Sequence, residues 1–416
     1  MYFGESASIA SAHLRQACSE SWLRTGCPMR PLRFTPPSVS VDSDLAWLLR
    51  AAFANDASPA PPHDATRALE LARATQLSGR VAARLCTWRG APTSGMLARE
   101  LSADYFANIA RESLLKRAMQ QMAQLAADLN ISLIAVKFAG LQLIGAIVPG
   151  TRVAADLDVL LPKPRAREFW HALLGAGFRR TRTHEYAHQL EALIDPYGAV
   201  VDLHVHLPGV TLAGGKFATA EQLIAQGLVN SEPVAMLVPD ARVLAAHAIV
   251  HALIQNRSTP QTYSPMRLLA DLMDLRRIDA DLVRGAARFL SPELAESCHT
   301  LDRLCVSLGR GSFAGSQFDH TAEQTLLWHC LAARLSPEYA ARLRAAGLSN
   351  KFRDGSGPSE IVRYVADLIY PAEAALDFLY GPAHGIPSRI RRRLLRPIDL
   401  ATTAARRALG AKPKRE

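Results

Sequence analysis

Two short apolar stretches constrain this chain more than any other part of it: ADLDVLL at 155–161 and VDLHVHL at 201–207. Both read as strands, and strand side chains alternate between faces. Asp156 and Asp158 therefore share one face of the first, with Leu157 and Val159 on the other. In the second, Asp202, His204 and His206 share one face and Val201, Leu203, Val205 and Leu207 the other. Neighbouring carboxylates repel each other and are costly on a strand unless a cation sits between them. Paired Asp residues on one strand with a third Asp on a neighbour form the set that a two-metal phosphoryl-transfer site requires. Hard oxygen ligands suit Mg²⁺, and two such ions clamp the attacking and leaving oxygens of an in-line displacement.

The surroundings of these strands set the architecture. Residues 131–136, ISLIAV, form a β-branched apolar run expected to be a buried strand, and KFAGLQLIGAIV after it reads as a short helix. A helix is expected over 164–176, a third strand over 178–184, and two strands within 188–207 joined by a turn at Asp195-Pro196-Tyr197-Gly198. Before and after this region the apolar residues fall at helical spacing: DSDLAWLLRAAFA opens the N-terminal part after a capping Asp, and DARVLAAHAIVHALIQ, PMRLLADLMDLRRI and PELAESCHTLDRLCVSL follow in series beyond Pro239. The expected class is α+β, a small mixed sheet flanked by helical regions. The expected divisions are an irregular arm at 1–40, helices at 41–130, an αβ core at 131–210, a helical domain at 211–380 and a basic tail at 381–416.

Charge and cysteine content remove several function classes. The net charge of +10 resides at the ends: residues 381–416 hold ten Lys and Arg against two acids, and 41–380 hold 34 of each. A high pI of this origin does not mark the body as nucleic-acid-binding. The tail, SRIRRRLLRPIDLATTAARRALGAKPKRE, interleaves Arg with Ile and Leu, which suits an anionic surface or nucleic acid as well as a solvated end. The six Cys are dispersed without a CxxC pair, as in a reduced, cytoplasmic protein, and read as core residues. No stretch reaches the roughly 18 apolar residues of a spanning helix. The N-terminus has no basic segment followed by an apolar core, and Met29 offers a shorter start.

The order of these pieces resembles the nucleotidyltransferase superfamily typified by DNA polymerase β, and within it the family called uncharacterised nucleotidyltransferase. The resemblance is carried by LIAVKFAGLQL (133–143), Arg152, ADLDVLL, the helix around 165–175 and VDLHVHL, with LAAHAIVHAL (244–253) and RLLADLMDL (267–275) similar to the family's C-terminal half. It implies a Mg²⁺-dependent enzyme, with two ions, that transfers a nucleoside monophosphate from an NTP such as ATP to an acceptor hydroxyl. Asp156, Asp158 and Asp202 would be metal ligands and catalytic residues, with Asp202 activating the acceptor. Lys137, Gly140, Arg152 and His204 would face the nucleotide. Phe138 stands where the family has Gly after Lys, which motivates an alternative: a binding or regulatory protein on a catalytically decayed scaffold. The basic tail motivates another, an enzyme modifying RNA ends, although a small molecule, peptide or protein is the favoured acceptor.

For His204, orienting Asp202 by a hydrogen bond is favoured over direct metal ligation. His247 and His251, at i and i+4, have zinc-capable spacing without a third ligand, so helix packing or a nucleotide contact is favoured. Arg267, Asp271 and Asp274 have the spacing of an intrahelical ion pair.

Overall fold

The structure, a computed structural model, describes residues 36, 39, 41–55, 60–87, 95–181, 188–212, 217–231, 236–256, 263–311, 322–343 and 385–408. Nearly all of the arm expected at 1–40, the end of the strand expected at 178–184, and residues 344–384 lie outside them.

Helices α1 (Ser43–Phe53), α2 (Ala65–Ala74), α3 (Ser78–Thr87) and α4 (Met96–Asp128) come first. Asp42 caps α1 by accepting from the Leu45 amide at 2.9 Å, and Asp64 caps α2 through the amides of Thr66 and Arg67. Each cap satisfies a donor that a helix start would otherwise leave open. The 33 residues of α4 bury Leu101, Leu115, Met119 and Met122 along one side.

The sheet follows, built from β1 (Ile134–Ala135), β2 (Asp156–Leu160), β3 (Arg179–Arg180), β4 (Leu193–Ile194), β5 (Val200–His204), β8 (Val229–Ser231) and β9 (Leu237–Pro239). Its order is β3-β4-β5-β2-β1-β9-β8. The pairs β2–β5 and β1–β9 are parallel and the others antiparallel. Helix α5 (Lys137–Leu143) links β1 to the approach to β2, and α6 (Ala166–Gly175) follows β2. The turn expected at 195–198 forms: Asp195 accepts from the amides of Tyr197 and Ala199, and Gly198 takes a φ of 96°. A separate pair, β6 (Leu207–Thr211) with β7 (Phe217–Ala218), follows β5, and α7 (Ala220–Ala225) comes next.

Beyond the sheet run α8 (Ala241–Val250), continued by a π-turn at His251–Gln255, then α9 (Pro265–Ile278), α10 (Leu282–Gly285), α11 (Pro292–Gly309) and α12 (Ala322–Leu335). One apolar cluster runs from Leu45 through the sheet to Leu331. The mixed sheet between helical regions is the architecture expected from the sequence. Helix α13 (Gly385–Ala408) belongs to a second compact unit. Cys298, Cys305 and Cys330 are buried free thiols, pushed up to about 12 by burial, whereas Cys86 is exposed.

Candidate metal and nucleotide site

Strand register brings the acidic residues together. β2 and β5 run parallel with Asp158 level with Asp202 and Leu160 level with His204. Asp158, Asp202 and His204 are nearly fully buried, and one ligand atom of each lies within 4.8 Å of the others. Asp156, two residues earlier on the same face, is half-buried at the margin of the cluster.

Lys137 opens α5 with a φ of 50°, left-handed and unusual for a residue bearing a side chain. Its Nζ donates to Asp158 Oδ1 at 2.5 Å, and His204 Nε2 lies 2.8 Å from the same oxygen. Burial alone would lower the Lys137 ammonium. The carboxylates of Asp158, Asp156 and Asp202 around it prevail and hold it above its ordinary value.

Asp202 shows the opposite balance. Burial, then repulsion from Asp156 and Asp158, pushes its carboxyl well above the usual range, against the opposing pull of Lys137 and a hydrogen bond donated by the Gln189 side chain. Its Oδ1 is buried with no hydrogen-bond partner among the described residues. Buried polar atoms without partners are exceptional. Two carboxyl groups, one of them with an orphaned oxygen, and an imidazole form a donor set that fits a divalent cation.

Histidines enclose this cluster. His188 stacks on His204 with ring centroids 5.6 Å apart and meets His206 at 5.9 Å. His247 of α8 is buried beside them. Burial lowers His188, His204, His247 and His251 well below the ordinary imidazole value. Lys137 adds to the effect at the last three. His247 and His251 lie 6.3 Å apart by ring centroid, and His251 packs edge-on against Tyr263.

Arg152 is engaged by α9, with Asp156 near enough to add to the attraction on its charge. It makes a buried two-pronged pair with Asp271 of α9, at 2.8 Å through Nε and 3.1 Å through Nη2, and Tyr263 Oη donates to the same carboxylate at 3.3 Å. The Phe138 ring is buried and has the Arg152 guanidinium 5.4 Å from its centroid, so its side chain fills core space. Gly140 packs α5 closely: a Cβ there would meet Ala135 O and Leu244 Cδ2, each at 2.8 Å.

Along α9 the expected Arg267–Asp271 pairing gives way to contacts between elements, and Asp274 adds an intrahelical pair with Arg277. Asp271 pairs with Arg152, and Asp274 with Arg80 of α3 at 2.7 Å as well as with Arg277. Arg267 donates to Val153 O and lies over the Tyr263 ring. Asp271 and Asp274 are buried on the face that α9 turns to its neighbours, where long-range partners outcompete local ones.

The sequence pattern did not point to the supports of this site: Gln189, His188 and the polar side of α4. Asn108 and Glu112 of α4 hold Gly150 by its carbonyl and amide, and Arg111 donates to Ala155 O. They fix the segment that leads into β2. Their i, i+3, i+4 spacing on a long helix was the signal available.

A mixed sheet carrying paired carboxylates on adjacent parallel strands, with helices on both sides in sequence, is consistent with a nucleotidyltransferase fold. Residues 61–293, more than half of the chain, match a family model described as uncharacterised nucleotidyltransferase, and the chain belongs to that family. Comparison with curated proteins and with solved structures gives no match.

Proposed function

We propose that this protein is a metal-dependent nucleotidyltransferase, transferring a nucleoside monophosphate from an NTP to an acceptor hydroxyl and releasing pyrophosphate. One observation carries the reading: Asp158 and Asp202 lie level on parallel strands, buried, with an Asp202 oxygen left unpartnered. Asp156, Asp158 and Asp202 would hold divalent cations, as a pair of Mg²⁺ ions. When bound, they would supply positive charge against the triphosphate and the attacking oxygen.

The chain's own groups then divide the work. The acceptor oxygen forms a bond to the α-phosphorus while the bond to the pyrophosphate oxygen breaks. Asp202, on β5 beside the paired carboxylates of β2, takes the hydroxyl proton. Lys137, released from Asp158, offsets phosphate charge. Arg152 and Gly140 support the nucleotide subsite through the Asp271 pair with α9 and the close packing of α5. The favoured acceptor is a small molecule, a peptide or a protein.

The test is calorimetry of ATP, GTP, CTP and UTP with divalent metal, on the wild type and on Asp156→Ala/Asp158→Ala, followed by transfer assays with labelled nucleotide. Metal-dependent binding that the folded double variant loses supports the reading. Transfer that survives in the double variant overturns it.

A second reading is favoured by the Lys137–Asp158 contact: an ammonium already neutralises the carboxylates, as in a scaffold that binds without turnover. It predicts nucleotide binding that needs no metal. A further element, α13, combines cationic residues with exposed Ile390, Leu394 and Ile398, and its charge suits an anionic surface.

A further inference from the structure

Resting on the metal-site reading above, we propose that His204 is itself a metal ligand and that the site favours a first-row transition ion of the Mn²⁺ class over Mg²⁺. Asp158, Asp202 and His204 are the described side chains whose ligand atoms gather within 4.8 Å, a mixed set of two carboxylates and one imidazole. Mg²⁺ takes oxygen ligands, dehydrates reluctantly and keeps several waters. Imidazole suits transition ions instead. The three side chains are at most 3% exposed, which leaves little room for the water shell that Mg²⁺ retains.

The His204 imidazole contacts the Asp158 carboxylate of this set directly. His204 Nδ1 is buried with no hydrogen-bond partner among the described residues. Its Nε2 lies 2.8 Å from Asp158 Oδ1, the oxygen that Lys137 Nζ also contacts at 2.5 Å. Imidazole nitrogen, carboxylate oxygen and ammonium thus converge on one point, where Lys137 supplies the positive charge. The orphaned Asp202 Oδ1 belongs to the same group.

The experiment uses the chelator-treated full chain without nucleotide. MnCl₂ and MgCl₂ are titrated by calorimetry into the wild type, His204→Gln and Asp202→Asn, and the Mn²⁺-loaded wild type is examined by pulsed paramagnetic resonance for coupling to a ligand ¹⁴N. Gln retains an N–H donor for Asp158, so an orienting role survives while the imidazole ligand is lost. The expected result is ¹⁴N coupling in the wild type and its loss in His204→Gln. Mn²⁺ affinity falls about tenfold or more, on the order of changes made around metal ligands, while Mg²⁺ affinity changes much less. Asp202→Asn weakens both ions.

Absence of ¹⁴N coupling in the Mn²⁺-loaded wild type, or coupling and Mn²⁺ affinity unchanged in His204→Gln, overturns the ligand assignment and leaves the carboxylate site standing. If His204→Gln fails to fold, wild-type coupling that persists in His188→Gln and His247→Gln supports His204. Failure of the wild type to bind either ion, with or without NTP, overturns the underlying metal reading as well.

Discussion

Asp202 bears the cost of the site. Burial and two neighbouring carboxylates raise its proton affinity in the folded chain, so the native state binds more protons than the unfolded one between the ordinary carboxylate value and the raised one. Stability of the metal-free protein is therefore full below the ordinary value and declines as pH rises through the raised one. Asp202→Asn should stabilise the metal-free protein at neutral pH while abolishing stabilisation by added divalent metal. Thermal melting with chelator and with metal reads both effects, and a variant less stable in chelator would refute the first. The buried histidines act with the opposite sign. His188, His204, His247 and His251 are held neutral, so the unfolded state takes up protons first as pH falls. Their contribution is complete above about 6.5, the unperturbed imidazole value, and is lost progressively below it. Denaturant titrations of Asp202→Asn, which removes the opposing carboxyl, from pH 7.5 down to 5.5 should show falling stability with net proton uptake on unfolding, and a flat profile would contradict the burial of these rings. The acidic face was legible because a strand has a period of two: once 155–161 and 201–207 are strands, Asp156, Asp158, Asp202 and His204 have to share a side. The partners of Arg152 and Asp202 were not legible, since nothing in local spacing says that Arg152 meets a carboxylate 119 positions later.

Helix α5 sits where its neighbours allow almost no tolerance. It starts at a left-handed Lys137 and touches β1 and α8 through Gly140. Gly140→Ala adds a methyl 2.8 Å from a backbone oxygen and from Leu244, and the backbone oxygen cannot yield as a side chain tip would. Overpacking of this kind costs about 1–3 kcal/mol. Chemical denaturation should show a loss in that range, with weaker nucleotide binding because Lys137 shifts with the helix. The Arg152–Asp271 pair links the segment before β2 to α9 at full burial. Removing one partner leaves an unpaired buried charge, so Asp271→Ala should cost about 3–5 kcal/mol. A double-mutant cycle with Arg152→Met should return much of that loss, and additivity would show that the two side chains do not act as a pair. Elements with a clear period were readable: α1, α5, β2, β5, the 195–198 turn and the helices after 239. The short strands β6 and β9 were not, because LPGVT and LVP carry Pro and Gly that read locally as loop, and pairing with β7, β8 and β1 is what makes them strands.

Across the chain, charge and chemistry are kept apart. The body from 41 to 380 balances its charges, and the excess of positive residues lies at the ends. Among the described residues no helix is long and apolar enough to cross a membrane. Helix α13 instead carries Ile390, Leu394 and Ile398 at four-residue steps, 54%, 65% and 60% exposed, with exposed Arg389 and Arg391 on the same turns. An apolar stripe at helical spacing beside cations fits the boundary of an anionic bilayer, where each basic residue contributes about 1 kcal/mol and buried methylenes add about 0.8 kcal/mol apiece. RNA would use the cations and leave the stripe in water. The full chain should therefore associate with vesicles containing anionic phosphatidylglycerol and much less with neutral phosphatidylcholine. Leu394→Glu/Ile398→Glu, which keeps every Arg, should reduce vesicle binding at least about tenfold, because the stripe contributes several methylenes to the interface. Metal and nucleotide binding should stay unchanged in that variant, since the substitutions lie in a different compact unit from Asp158 and Asp202. Vesicle binding that ignores the two Glu substitutions but collapses with added salt would mean that the Arg residues act alone, and a salt-sensitive complex with RNA would then become the better account of the tail.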